Sequence, residues 1–127
     1  MPGIDACLSM AMDVPGARGA AVVDWISGLA LGTAGDSPTG DHEVTAVEAA
    51  ELARLAAEHG AFGAGADGAP AVEDVIVTTA GGHHLLRFAR ALPGETVFLH
   101  LWIDAERGNL ALARIRLRDI TDRLVAA

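Results

Sequence analysis

The spacing of apolar and polar residues divides the chain into eight secondary-structure elements. Near the N-terminus, apolar residues at helical spacing predict a helix over 3–14. Pro15 ends this helix, because the residue before a proline is disfavoured in the helical region. Two apolar runs separated by the Ser27-Gly28 turn then predict a β-hairpin over 18–33.

A central helix is predicted over 41–59. Its N-terminus has two candidate capping residues. One is Asp41, and the other is Thr45, which has the form of a capping box together with Glu48 three residues later. Apolar residues cover more of this helix than the stripe of roughly 100° that packing on one surface requires. The pattern therefore indicates that one side packs on the sheet and another on a second chain or a bound partner.

Three strands, over 72–79, 83–91 and 96–104, and a last helix over 107–125 complete the pattern. Tight turns between these strands predict an antiparallel meander. The third of them is apolar on both faces, so we expect helices to cover both sides of the sheet. The first and last helices are expected on one side and the central helix on the other. The fold class is α+β, a single domain over 1–127 whose five-stranded antiparallel sheet is sandwiched by helices in the order α-β-β-α-β-β-β-α.

Composition excludes several classes of protein. The chain has 127 residues, of which 51% are hydrophobic and 20% charged, as is typical of a globular domain. No apolar run approaches the roughly 18 residues of a membrane helix, so no membrane insertion is expected. The net charge of −8 argues against nucleic acid as a partner. A single cysteine and an N-terminus without a basic region predict a cytoplasmic protein.

Candidate catalytic chemistry is sparse. The chain has no lysine, which removes Schiff-base chemistry and the lysine of a P-loop. Cys7 lies on the apolar stripe of the first helix and is predicted to be a core residue. Residues 63–68 match G-x-G-x-x-G, but they follow a helix and precede a strand, which is the reverse of a dinucleotide site. We therefore predict no catalytic residue and no cofactor.

Histidines and aromatic residues offer two further candidates. His83 and His84 point to opposite faces of one strand, so at most one of them can join His100 in a metal site. Two histidines alone are weak evidence for a metal-binding site, and no metal ligand is predicted. Phe98, His100 and Trp102 share one strand face, which is expected to be core rather than a ligand platform. Trp25 lies near the hairpin tip, where an exposed tryptophan would be a partner contact.

Five segments together resemble the roadblock family (the roadblock/dynein light chain type, with a longin-like or profilin-like α/β domain) in its bacterial form. The opening hairpin is the most similar region, with VPGARGAAVVD at 14–24 and SGLALGT at 27–33. The others are AVEDVIV at 71–77, GHHLL at 82–86 and NLALAR at 109–114. The likeness covers nearly the whole chain, and the order of elements agrees as well.

The resemblance implies a non-enzymatic dimer that regulates or scaffolds a small Ras-like GTPase and has no nucleotide pocket of its own. In such dimers the third strands pair across the two-fold axis and the central helices lie side by side. On this chain the expected interface of a homodimer comprises Val47, Ala50, Leu52, Leu55, Val75 and Val77. The expected partner-binding residues are Glu48, Glu51, Glu58 and Trp25.

Two other functions stay open at the level of sequence. One is a small-ligand sensor with a pocket near His84, Phe98, His100 and Trp102. The other, which the sequence supports less, is a metal-dependent enzyme.

Overall fold

The computed structural model describes residues 2–63, 71–89 and 96–126. The order of elements is the predicted one: α1 (Pro2–Met12), β1 (Ala17–Asp24), β2 (Ala30–Gly35), α2 (His42–Glu58), a 3₁₀ turn (Gly60–Phe62), β3 (Asp74–Thr79), β4 (Gly82–Ala89), β5 (Val97–Asp104) and α3 (Leu110–Ala126). The predicted end of β4 at residues 90–91, the Pro93-Gly94 turn and most of the G-x-G-x-x-G segment lie outside the described residues.

All five strands form one antiparallel sheet in the order β2-β1-β5-β4-β3. The two hairpin systems meet at the centre, where Ala21 of β1 pairs with His100 of β5 and His100 pairs with Leu86 of β4. β2 and β3 are the two edge strands. The predicted fold class is confirmed.

One side of the sheet is covered by α1 and α3, which pack on a large aliphatic cluster. On α3, Ala113, Leu117 and Ile120 recur at helical spacing and are buried. Cys7 lies in the same cluster, and its Sγ donates a hydrogen bond to the Ile120 carbonyl at 3.6 Å. Burial raises the pKa of the Cys7 thiol, although Arg123 opposes the shift. Cys7 is therefore a core residue, as predicted.

On the other side of the sheet, α2 is the one helix that covers it among the described residues. The inner face of α2 is built from small residues, with Ala46, Ala50 and Ala53 buried against the sheet. Alanine has a small side chain and is the best helix former, so these residues allow the helix to pack on the strands without large side chains between them. The large aromatic side chains of this cluster are Phe88 and Phe98 of the sheet and Trp25, which follows β1 directly.

The two candidate caps of α2 have different roles. Asp41 is the N-cap, and its Oδ1 accepts a hydrogen bond from the Glu43 backbone N–H at 2.9 Å. Thr45 is buried in the first turn, and its hydroxyl shares hydrogen bonds with Ser37 at 2.6 Å and Thr39 at 2.8 Å. The capping-box interpretation is therefore wrong, since Thr45 anchors the preceding loop to the helix.

No helix within the described ranges is both long enough and apolar enough to cross a membrane.

A close approach between β1 and the residue after β2 provides a test of this fold. A Cβ added at Gly19 would overlap the Asp36 carbonyl oxygen. We expect Gly19→Ala to lower the free energy of unfolding by about 1–3 kcal/mol, because the backbone must shift to make room. Gly60→Ala is the matched control, since a Cβ there meets nothing within 4 Å. Equal urea midpoints for the two variants would contradict the described packing.

Candidate functional site

The outer face of α2 is unusually apolar for a solvent-facing surface. Val44, Val47, Leu52 and Leu55 are all exposed, with Leu55 at 55%. Their spacing follows the helical period, so they form one stripe opposite the alanines that face the sheet. Exposed apolar side chains grouped in this way indicate a surface that another molecule covers.

Ala50 does not belong to this surface. Its exposed fraction is 1%, because it lies on the same side of α2 as Ala46 and Ala53. The sequence-based assignment of Ala50 to a dimer interface therefore has to be corrected. A helix with alanines on both sides gives no periodic signal that distinguishes the inner ones from the outer ones.

Trp25 also lies elsewhere than predicted. It is 8% exposed and packs edge-on against Phe88, with ring centroids 6.2 Å apart. Its backbone N–H donates to the Thr96 carbonyl at 2.9 Å, which fixes the residue at the end of β1. Trp25 is therefore part of the core and not an exposed partner contact. Its neighbours Ile26 and Leu29 are the exposed residues of the tip, at 56% and 64%, and sequence analysis missed both.

The three glutamates that the sequence analysis expects to bind a partner are exposed. Glu48, Glu51 and Glu58 lie on the outer side of α2, among the exposed apolar residues. Arg54 is the only arginine in α2. The outer surface of α2 therefore combines apolar contact area with negative charge.

A groove of about 470 Å³ runs between the C-terminal half of α2 and the start of β3. Leu52, Leu55, Phe62, Val72 and Val75 supply most of its lining. The polar residues in its wall are His59 and Asp74. We call this feature the α2–β3 groove. Val75 is half-buried and Val77 is 36% exposed on the adjoining edge strand, so both predicted strand residues lie next to the groove.

The two edges of the sheet differ in how freely they can pair with another strand. β2 has a bulge opposite Val22 and Val23, and the Gly35 carbonyl accepts a hydrogen bond from His42 Nε2 at 3.0 Å. β3 has six residues in unbroken register with β4. Bulges and covering side chains protect an edge from pairing, so β3 is the more accessible edge.

Charged side chains hold β3 to α3 on the opposite side of the sheet. Arg114 Nε donates to Asp74 Oδ2 at 3.1 Å, and Arg87 Nη1 lies 3.6 Å from the same oxygen. The side chains of Arg87 and Asp74 are only 13% and 14% exposed. Arg87 Nε is buried without a hydrogen-bond partner, at a cost of about 1–3 kcal/mol. The start of the edge strand is therefore fixed in place by ion pairs.

The residues proposed for a ligand pocket form a packed stack. His84 and His100 share a hydrogen bond between Nδ1 and Nε2 at 3.1 Å. The His84 ring lies parallel to that of Trp102 with centroids 5.9 Å apart, and the Arg18 guanidinium lies 4.0 Å from the Trp102 centroid. Phe98 and His100 are buried. His84, His100 and Trp102 therefore pack beside one another, and the ring of Phe98 packs against Phe88 instead, which favours a packing role over ligand binding.

His83 and His84 point to opposite faces, as predicted. The His83 ring shares a hydrogen bond with Thr78 at 2.9 Å, while His84 contacts His100. Within the described residues, no group of three or more histidine, cysteine or acidic side chains could hold a metal ion.

Solved structures share this fold, although no protein-family model and no curated protein matches the sequence. Myxococcus xanthus MglB has a TM-score of 0.79 at 18% identity, and the match covers 98% of this chain and 86% of that one. The Roadblock/LC7 domain from Streptomyces avermitilis has a TM-score of 0.71 at 20% identity, over 92% and 90% of the two chains. MglC from Myxococcus xanthus has a TM-score of 0.62 at 25% identity, over 98% of each chain. The chain has the roadblock fold, as its sequence resemblance implied.

The burial of His100 generates a pH prediction. Burial, and then the charges of His84 and His42, lower the pKa of His100 from its ordinary value of 6.5 to about 4. Burial also lowers the pKa of His84. Between pH 6.5 and 5 the unfolded chain therefore binds protons that the folded chain does not. We expect the free energy of unfolding to fall as the pH falls through this range, by up to about 1.4 kcal/mol per pH unit from His100.

Urea unfolding at several pH values measures how steeply the free energy of unfolding changes with pH. In His100→Leu this pH dependence should be shallower than in the unmodified protein, whatever the change in stability at neutral pH. Identical slopes would show that His100 does not titrate in this way.

Proposed function

We propose that this chain forms a symmetric homodimer that acts as a non-enzymatic scaffold or regulator for a small Ras-like GTPase in the cytoplasm of a bacterium. One observation carries the proposal. Nine of the ten exposed large apolar side chains in the described residues lie on α2, on the β1–β2 hairpin, on β3 or on the 3₁₀ turn. Only Ile115 lies on the α1–α3 side. A monomer rarely exposes so much apolar surface on one side without a partner to cover it.

The homodimer is proposed to form through β3 and the α2–β3 groove. Antiparallel pairing of two β3 strands satisfies the backbone groups that each edge leaves open. A two-fold axis at this edge brings the groove of one copy close to α2 of the other, which buries Leu52 and Leu55. The regular register of β3, compared with the interrupted β2, supports this choice of edge. The resemblance to roadblock domains implies the same arrangement.

A non-catalytic role agrees with the state of the reactive side chains. The Cys7 thiol is buried with a raised pKa, so it is a poor nucleophile. His84 and His100 bond to each other rather than to a serine, cysteine or carboxylate. The GTPase role rests on the roadblock fold and on the acidic, apolar character of α2, which suits a basic partner surface.

Dimer formation is tested by mutating the groove. Leu55→Asp should give a monomer, because it places a charge in the apolar centre of the interface. Light scattering should report twice the 13.0 kDa chain mass for the unmodified protein and about half that value for the variant. Ile115→Asp is the control, since Ile115 is exposed to a similar extent, 50% against 55%, on the other side of the molecule. A monomeric unmodified protein, or dissociation by both variants, would rule out this interface.

GTPase binding is tested with the purified partner. Affinity capture from the native cytoplasm should recover a Ras-like GTPase, and the purified pair should bind with a preference for one nucleotide state. Association should slow as salt rises, since the Glu residues of α2 attract a basic surface. Glu51→Arg should slow association while leaving the dimer intact. Failure to recover any GTPase, with either nucleotide, would overturn the GTPase role and leave the fold unaffected.

A further inference from the structure

Positive charge is concentrated on the side of the sheet opposite to α2. The chain as a whole has a net charge of −8, yet α3 carries four arginines against two aspartates. Arg114, Arg116 and Arg118 are all exposed on this helix. The outer surface of α3 is therefore basic within an acidic chain.

A cavity of about 290 Å³ lies between α3 and the start of β3, and we call it the α3–β3 cavity. The helix contributes Arg114 and Arg118, which lie one turn apart, and beside them Ala111 and Ile115, which also lie one turn apart. Ile115 is the exposed large apolar side chain of this side, at 50%. The helical wall of the cavity therefore has a basic row and an apolar row next to each other.

The strands supply the other wall, with Arg87 and the carboxylates of Glu73 and Asp74. Asp74 accepts a hydrogen bond from Arg114 Nε at 3.1 Å, and Glu73 lies 3.8 Å from Arg87 Nη1. Among the described residues, no carboxylate lies within 4.0 Å of the Arg118 guanidinium. Three arginines thus share two carboxylates, and Arg118 is the one without an acidic neighbour.

Arg87 is only loosely paired, although its side chain is 13% exposed. The oxygens of Asp74 and Glu73 lie 3.6 and 3.8 Å from its Nη1, which is beyond hydrogen-bond range, and its Nε has no partner. Water screens a charge poorly at such a position, so the attraction of Arg87 for an anion in the cavity is stronger than that of an exposed arginine. A carboxylate beside Arg118 would gain from both guanidinium groups.

We propose that the α3–β3 cavity binds a carboxylate side chain of an acidic peptide segment from a partner protein. Arg118 is the direct partner of that carboxylate, since arginine pairs with carboxylates through two parallel hydrogen bonds. Ile115 and Ala111 contact an apolar side chain next to it in the peptide. This apolar row favours a peptide over a free anion, which would make no use of it. The site lies across the sheet from α2 and is independent of the proposed GTPase contact.

A peptide titration tests the chemistry. The probe is a short blocked peptide in which glutamate and leucine alternate, and its counterpart has glutamine in place of glutamate. Backbone amide signals of the full chain should shift at 111–118, 73–74 and 87 with the glutamate peptide only, and the shifts should weaken as salt rises. Equal binding of the two peptides would overturn the proposal. Acetate that gives the same shifts at the same carboxylate concentration would also overturn it, because the site would then take a free anion.

Two arginine variants of α3 locate the contact. Arg118→Gln should weaken binding of the glutamate peptide about tenfold or more, since it removes a charge-assisted pair. Arg116→Gln is the matched control, because it removes the same charge from an exposed position two residues away. Arg116 lies on the opposite side of the helix, beside Met10 and Asp13, and should bind as the unmodified protein does. Equal loss in both variants would show diffuse attraction by the basic helix and would exclude the cavity.

A variant of the apolar row decides whether the ligand is a peptide with an apolar neighbour. The unmodified protein should prefer the leucine peptide to a version with alanine in place of leucine. Ile115→Ser should lose this preference while it keeps the preference for glutamate over glutamine. A preference for leucine that persists in Ile115→Ser would refute the role of the apolar row.

Discussion

The width of the sheet is the constraint on which the functional surface depends. Five strands spaced by about 4.8 Å extend over about 19 Å, whereas one α-helix with its side chains is about 10–12 Å across. Two helices cover one side of this sheet, but α2 is the one described helix on the other side. A single helix cannot bury that whole side, so it leaves apolar area exposed, which the proposed dimer would cover in part. The side chains of α2 reflect this, since small residues face the sheet and large apolar ones face outward.

Backbone geometry then divides this side into distinct regions. The C-terminal half of α2 borders a regular edge strand and carries Glu51, Arg54 and Glu58. The N-terminal half borders the hydrogen-bonded turn after β1 and carries Glu43 and Glu48. At the β2 edge, a bulge and His42 limit strand pairing, so the sheet can extend mainly in one direction. An assembly built on β3 leaves the hairpin tip of each copy accessible.

The element order and the layers were predictable from the sequence because they depend on local periodicity. Pro15 and the Ser27-Gly28 turn mark boundaries that backbone geometry enforces, and the inward positions of α3 follow a clear helical period. The assignments that failed at Ala50 and Trp25 depend on contacts distant in sequence, whereas the one at Thr45 failed because its hydroxyl bonds Ser37 and Thr39 in the loop before the helix. Trp25 is buried because Phe88 and Thr96 lie beside it, and neither contact can be inferred from the residues around the turn. The exposed Ile26 and Leu29 follow from the same fact, since only one side of the tip can face the core.

The ion pairs that join β3 to α3 affect more than the stability of the monomer. An isolated edge strand frays, and a frayed strand must be ordered at the moment that another strand pairs with it. Asp74 is held by Arg87 and Arg114 from the side of the sheet that α3 covers, so the start of β3 is already ordered in the free chain. In the proposed dimer, strand pairing would then begin from a fixed template, with a lower barrier to association than for a strand that folds as it binds. Arginines remote from the pairing edge would in this way influence how fast two chains join.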